Sequence, residues 1–297
     1  MSAKINKILP HLWFDREARE AVDFYVSVFK DSKLKESSVL HGTPSGKVDI
    51  IPFEISGQNI IAINAGPFFR FNDSLSFFYY CGSESEIDRI YKLLSEKGSV
   101  LFPLGKYDWS RKYAWVRDRF GLGWQLDIDD INSKQKIVPA LLFVNEKSGR
   151  IKEALSFYTS VFKTSRSIME VPYGNQSGGT GNDLLFAQFS VEGFIFNAMS
   201  SNVKHDFDFN EAVSFMINCE TQEVIDYYWE KLTSGGQEQP CGWVKDKFGV
   251  SWQVVPSEMN KLMSSDDEKR ADRVMKAMMK MKKLDLNVLR NTYDRRQ

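Results

Sequence analysis

Trp115-Val116-Arg117-Asp118-Arg119-Phe120-Gly121-Leu122-Gly123-Trp124-Gln125 returns later in the chain as Trp243-Val244-Lys245-Asp246-Lys247-Phe248-Gly249-Val250-Ser251-Trp252-Gln253. Each copy reads as a strand, a tight turn at Asp-Arg/Lys-Phe-Gly, and a second strand that carries Trp and Gln side by side. Side chains alternate faces along a strand, so one of that pair enters a core and the other faces whatever the sheet encloses. The alternation assigns Trp124 and Trp252 to packing against helices. It assigns Gln125 and Gln253 to the enclosed side.

Working outward, the duplication extends to nearly everything before residue 257. Ala18, Ala21, Val22, Tyr25, Val28 and Phe29 make one face of an amphipathic helix, and Ile151, Ala154, Leu155, Tyr158, Val161 and Phe162 repeat it within a shared Phe-Tyr-x-Ser-Val-Phe-Lys. Strands are expected near Leu34 to Leu40, Val48 to Ile55 and Asn59 to Asn64, matched near Ser167 to Val171, Asp183 to Phe189 and Phe194 to Ala198. Ser76 to Cys81 and Ser214 to Cys219 are the next matched strands. A second helix carries Ile87, Ile90, Tyr91 and Leu94, matched by Ile225, Tyr228, Trp229 and Leu232. Each half therefore reads as strand, helix, three strands, taken twice: an α+β chain of four βαβββ modules, in units 7–130 and 137–256. The halves differ at Leu104 to Lys112, an aromatic and basic insertion that carries Trp109 and reads as a surface loop or a lid. The glycine-rich Gly174 to Gly181 lacks the Gly-Lys-Ser/Thr ending of a phosphate-binding loop and reads as a hairpin loop.

Composition excludes several classes. Of 297 residues, 42% are hydrophobic and 26% charged, and 39 basic residues balance 39 acidic ones, so no global attraction to nucleic acid or an anionic membrane is expected. Cys81, Cys219 and Cys241 lack the paired spacing of a disulfide framework or structural zinc site, and no apolar run is long enough to span a bilayer. A cytoplasmic protein is the expectation. The segment 257–297 is a helical extension. Ser264-Ser265-Asp266-Asp267-Glu268 is its acidic helix start, a Met-rich stripe through Val274, Met278 and Met281 suits docking on the protein body or a partner subunit, and a short helix follows around Leu286 to Tyr293.

With this module order, and with Leu12-Trp13-Phe14-Asp15, Ala21-Val22-Asp23-Phe24-Tyr25, Cys241-Gly242-Trp243 and Ser251-Trp252-Gln253, the chain resembles the PhnB-like family of the vicinal oxygen chelate (glyoxalase, bleomycin resistance, dioxygenase) superfamily. Members often carry the label 3-demethylubiquinone 3-methyltransferase-like. The resemblance implies curved sheets of paired modules forming cups, with an internal pseudo-dimer of the two repeats. In metal-using members it implies a divalent ion between a His or carboxylate on the first strand and a Glu on the last strand of a module. Those positions fall at or next to His11 and on Gln125 in the first half, and on Leu141 and Gln253 in the second. The chain has no glycine-rich strand-to-helix turn of the kind a methyl-donor site would use.

An amide oxygen binds a divalent cation far less strongly than a carboxylate, and leucine does not bind one. The expectation is therefore a small-molecule binder without a metal cofactor, with a divalent-metal enzyme acting through His11 and Gln125, or a purely structural module, as the alternatives. Ligand-binding candidates are His11, Asn64, Trp109, Gln125, Asn197, Cys241 and Gln253. Asn64 and Asn197, placed at matching strand ends, read either as pocket groups or as turn formers. Cys241, aligned with Tyr113, reads as a packed or pocket-lining thiol, with Lys245 on its face of the strand. Whether homo-oligomers form is left open.

Overall fold

The computed structural model describes residues 7–43, 46–128, 134–174, 183–263 and 268–294. Most of the glycine-rich stretch after Gly174 and the acidic start Ser264 to Asp267 lie outside the described residues.

The first half runs β1 (Ile8–Phe14), α1 (Ala18–Val28), β2 (Lys33–Leu34), β3 (Ser38–Thr43), β4 (Gly46–Ile55), β5 (Gln58–Asn64), β6 (Leu75–Tyr80), α2 (Glu84–Ser95), β7 (Ser99–Tyr107), β8 (Ser110–Arg117) and β9 (Gly123–Asp127). The second half repeats it as β10 (Ile137–Phe143), α3 (Ile151–Val161), β11 (Ser165–Pro172), β12 (Leu184–Val191), β13 (Phe194–Ser200), β14 (Val213–Cys219), α4 (Gln222–Thr233), β15 (Gln237–Glu238), β16 (Trp243–Lys245) and β17 (Ser251–Pro256). Helices α5 (Met259–Met263), α6 (Glu268–Met278) and α7 (Leu286–Asp294) close the chain. The strand expected from Leu34 to Leu40 is split into β2 and β3, which both pair with β4. The insertion carrying Trp109 is the turn of a long β7–β8 hairpin, not a free loop.

The modules exchange partners between halves. One sheet, here sheet A, has the order β15-β16-β17-β14-β1-β5-β4-β2, with β3 beside β4. The other, sheet B, has the order β11-β12-β13-β10-β6-β9-β8-β7. Sheet A thus joins the first module of the first half to the second module of the second half across an antiparallel β1–β14 seam, in which His11 faces Ser214. Sheet B joins the two remaining modules across β6–β10, in which Ser76 faces Ala140. Each cup is built from both halves, so the expectation of one cup per repeat is corrected. The seam is a choice among like strand edges, and the local hydrophobic pattern of a strand does not record which edge it meets.

Between the sheets, α1, α2, α3 and α4 pack into one continuous core that draws on both halves. The repeated hairpin is its hub. Asp118 is buried, and its Oδ1 accepts from the backbone N–H of Phe120 (2.8 Å) and Leu122 (3.1 Å). Its Oδ2 accepts from Tyr25 OH (2.8 Å) and Trp124 Nε1 (2.9 Å), tying the turn of sheet B to α1, which rests on sheet A. Asp246 repeats all four bonds with Phe248, Val250, Tyr158 and Trp252. Burial pushes both carboxyl pKa values up, while the four donors pull each back by favouring the charged form. Gly121 and Gly249 close the two turns at φ of 90° and 88°, a left-handed conformation that a side chain would strain. Trp124 and Trp252 lie in the helix-side core and Gln125 and Gln253 on the opposite faces, as strand alternation requires.

Candidate functional site: one filled cup and one hollow cup

The strand registers superimpose the two cups residue by residue. In sheet B, Ser76 faces Ala140, which pairs with Asn197, and Gln125 lies beside Phe78. In sheet A, Ser214 faces His11, which pairs with Ile61, and Gln253 lies beside Met216. His11 is therefore the counterpart of Ala140, one residue from the expected Leu141, and Asn197 is the counterpart of Ile61. Asn64 sits three residues further along β5, where Ser200 is its match.

Cup B is filled by its own side chains. Gln125, with no exposed surface, accepts from Tyr113 OH and donates to Ser76 Oγ (2.8 Å) and Met199 Sδ (3.3 Å). Asn197 donates to Tyr80 OH (3.2 Å) and accepts from Gln188 (3.0 Å). Phe78, Tyr80, Tyr113, Trp115 and Leu142 fill the space between, and burial raises the Tyr113 hydroxyl pKa well above the phenolic range. Trp109 stacks on Tyr107 at 4.9 Å and meets Tyr113 edge-on at 5.7 Å, so it covers this filled cup and lies away from the cavity described next.

Cup A is hollow, with a cavity of about 1080 Å³. The repeat explains why. Cys241 stands where Tyr113 fills cup B, Met216 where Phe78 does, and Ile50 where Phe186 does. Three rings are thus exchanged for slimmer groups. Gln253 keeps its donation to Ser214 Oγ (2.9 Å), the copy of the Gln125–Ser76 bond, but Cys241 supplies no phenol to its carbonyl oxygen. His11 is 4% exposed and lines the cavity, and its Nδ1 has no hydrogen-bond partner. Its ring meets Trp243 edge-on at 5.8 Å, and burial lowers its pKa to about 4, so the imidazole is neutral at pH 7. A second buried polar atom without a partner, Gln239 Oε1, belongs to the same lining. The lining carboxylate Glu211 is held by Lys245 Nζ (2.9 Å) and Gln239 Nε2 (2.8 Å).

The remaining candidates resolve as follows. Asn64 accepts from the backbone N–H of Ala18 (2.8 Å) and donates to Asp49 (2.9 Å), which makes it a cap for α1 and not a cavity group. Cys241 lines the cavity, with Sγ 3.5 Å from Met279 Sδ, and burial raises its thiol pKa. Lys245 is committed to Glu211. Cys81 and Cys219 are buried, and burial raises both thiols, Cys219 to about 12. His11 and Gln125 lie on different sheets, so the metal pair expected within the first half does not exist. The amide that shares the cavity with His11 is Gln253, from the other half, on β17 with β14 between the two strands. Sequence reasoning missed Gln239 and Glu211, although Glu211 repeats Asp73 within a shared Phe-Asn-acid stretch and its ion pair with Lys245 repeats that of Asp73 with Arg117.

The donor set in cup A does not fit a divalent cation. At the register positions where metal-using members hold their ion it offers one imidazole, one amide already engaged by a hydroxyl, and the apolar Ile61. The lining carboxylate Glu211 is held by Lys245 and Gln239, and no cluster of three or more His, Cys, Asp or Glu suited to a metal occurs among the described residues.

Two curved sheets of exchanged βαβββ modules, each with a cup on the face turned away from the helices, define a glyoxalase-fold protein of the vicinal oxygen chelate class. The chain belongs to the family described as 3-demethylubiquinone-9 3-methyltransferase, the PhnB-like family, whose profile matches residues 6–127 and again 135–255. A PhnB protein of Bacillus cereus is 31% identical over 41% of this chain and 99% of its own, with a TM-score of 0.39. Glyoxalase I of Zea mays is 10% identical, covering 84% of this chain and 93% of its own, with a TM-score of 0.56, a likeness of fold. A Bacillus subtilis protein described as a candidate dioxygenase is 12% identical over 96% of this chain and 94% of its own, with a TM-score of 0.50. No curated protein matches the chain. No helix among the described residues is long and apolar enough to cross a membrane.

Proposed function

We propose that the chain binds a small organic molecule in cup A without a metal ion, the two repeats acting as an internal pseudo-dimer in which cup B is structural. The observation that carries this reading is the contrast between homologous cups. Where cup B holds Gln125 and Asn197 with the hydroxyls of Tyr113 and Tyr80 and fills the rest with rings, cup A has a cavity of about 1080 Å³ whose lining includes the partnerless Nδ1 of a buried histidine. An unmade buried hydrogen bond costs about 1–3 kcal/mol, a cost that a ligand reaching His11 would relieve. The volume lies just above the range of about 300–1,000 Å³ usual for small-molecule sites. The methyl transfer in the family's description is not part of this proposal, because nothing in the two cups resembles a methyl-donor site.

A thermal-shift screen of small organic molecules tests it, since a ligand at a hundred times its Kd stabilises a protein by about 2.7 kcal/mol. Compounds that raise the melting temperature of the wild type are expected to lose that effect in Ile61→Trp, which fills cup A, and to keep it in Trp109→Ala, over cup B. Shifts that survive Ile61→Trp unchanged would place binding elsewhere, and no shift across the collection would count against binding.

A further inference from the structure

The C-terminal extension is part of the cavity. Met259, Met263, Met275, Met278 and Met279 of the α5–α6 segment all line it, opposite Leu9, Ile61, Ile63 and Val48 of sheet A. The segment is anchored and not merely adjacent. Cys241 N–H donates to Met281 O (2.8 Å) and Gly242 N–H to Lys282 O (2.8 Å), while Gln222 binds the backbone of Leu284 and Leu286 (3.1 and 2.7 Å). Val274 of α6, and Leu284 and Leu289 that follow it, are fully buried.

The charges in the lining are few, and the two that are not solvent-exposed are answered. Lys35 is paired with Glu54 at 3.2 Å, Glu211 is held by Lys245 and Gln239, and Glu36 is solvent-exposed at the rim. His11 carries no charge at neutral pH. A ligand ion brought past the exposed Glu36 into this chamber would lose its hydration and meet only charges that already have partners. Methionine side chains are unbranched, polarisable and adaptable, so five of them on one wall suit an apolar body of irregular or variable shape.

We infer that the C-terminal helices form the fourth wall of cup A, and that the chamber takes a neutral, mostly apolar ligand whose single hydrogen-bonding end docks at His11 and Gln239 while its apolar body lies on the methionine wall. This rests on the reading of cup A as a binding site. It assigns the extension a role in selecting the ligand, and it places the selecting residues at the two ends of the chamber.

The test uses the full-length protein and the neutral, polarity-sensitive dye 6-propionyl-2-(dimethylamino)naphthalene, displaced by three compounds of equal chain length: dodecanamide, dodecanoate and dodecylammonium. The amide is expected to displace the dye at concentrations at least tenfold lower than either ion. Met278→Glu and the milder Met279→Gln are expected to weaken dye binding severalfold or more, with circular dichroism verifying the fold of each. His11→Ala is expected to reduce the preference for the amide while the dye still binds. Equal displacement by the ions, or dye binding indifferent to both methionine variants, overturns the inference. If small polar compounds give shifts that Ile61→Trp abolishes while the dye and all three long chains fail to bind, the inference falls and the site stands. If nothing binds at all, both fall.

Discussion

Replacing His11 with alanine, the residue that sheet B carries at the same register, removes the one buried imidazole of cup A. At pH 7.5 the gains and losses nearly offset. The partnerless Nδ1 is relieved, worth about 1–3 kcal/mol, while the edge-on contact with Trp243, worth about 0.5–1.5 kcal/mol, and some apolar burial are lost. The pH dependence is the sharper observable. Burial holds the folded-state pKa at about 4 against an ordinary 6.5. Above pH 6.5 the ring is neutral in both states and contributes no slope. As pH falls below 6.5 the unfolded chain takes up a proton that the folded protein refuses, and stability drops by about 1.4 kcal/mol per pH unit until the folded state also protonates near pH 4. The wild type should thus lose about 3 kcal/mol across that window that His11→Ala retains. Urea unfolding of both proteins at pH 7.5, 6.5, 5.5 and 4.5 measures it, because pH effects of groups remote from His11 cancel in the difference. Parallel stability profiles would refute the claim that this histidine is buried, neutral and without a partner.

Other consequences follow from the same geometry. Asp118→Asn presents an NH2 to two of four buried donors and should cost about 2–5 kcal/mol in urea melts, with Asp246→Asn costing a similar amount; a cost below about 1 kcal/mol would remove the carboxylate from its place as hub. Gln253→Glu puts a carboxylate into the cup that holds His11 and should raise zinc affinity in calorimetric titration, whereas Gln125→Glu, in the cup that has Ala140 at that register, should not; equal gains would show that the sheets do not exchange modules as described. Chains split between residues 128 and 134 should co-purify when expressed together and self-associate when expressed alone, because the β1 and β6 seam edges lose their partners; two stable monomers by analytical ultracentrifugation would contradict the interlocked sheets.

Much of this was legible in residues. The Trp-x-x-Asp-x-Phe-Gly-x-x-Trp-Gln repeat gave the duplicated hairpin, and strand alternation separated Trp124 from Gln125 correctly because it depends only on a period of two. The paired Tyr25 and Tyr158 were visible as helix-face residues. Their bonds to Asp118 and Asp246 were not, since they span 93 and 88 residues of sequence. Pairing His11 with Gln125 assumed that each half closes its own cup. The β1–β14 seam that brings Gln253 to His11 is a long-range choice with no local signature. Asn64 and Asn197 look alike at strand ends, yet three residues of register separate a helix cap from a filled cup. The methionines of the extension announced a docking face, and only the packed structure shows that the face closes a cavity.

Metal content most directly separates a metal-free cup A from a metal site at His11. Native mass spectrometry of the full-length protein, purified without chelator, is predicted to show no stoichiometric divalent ion in the wild type or in His11→Ala. One divalent ion per wild-type chain, lost in His11→Ala, would contradict it.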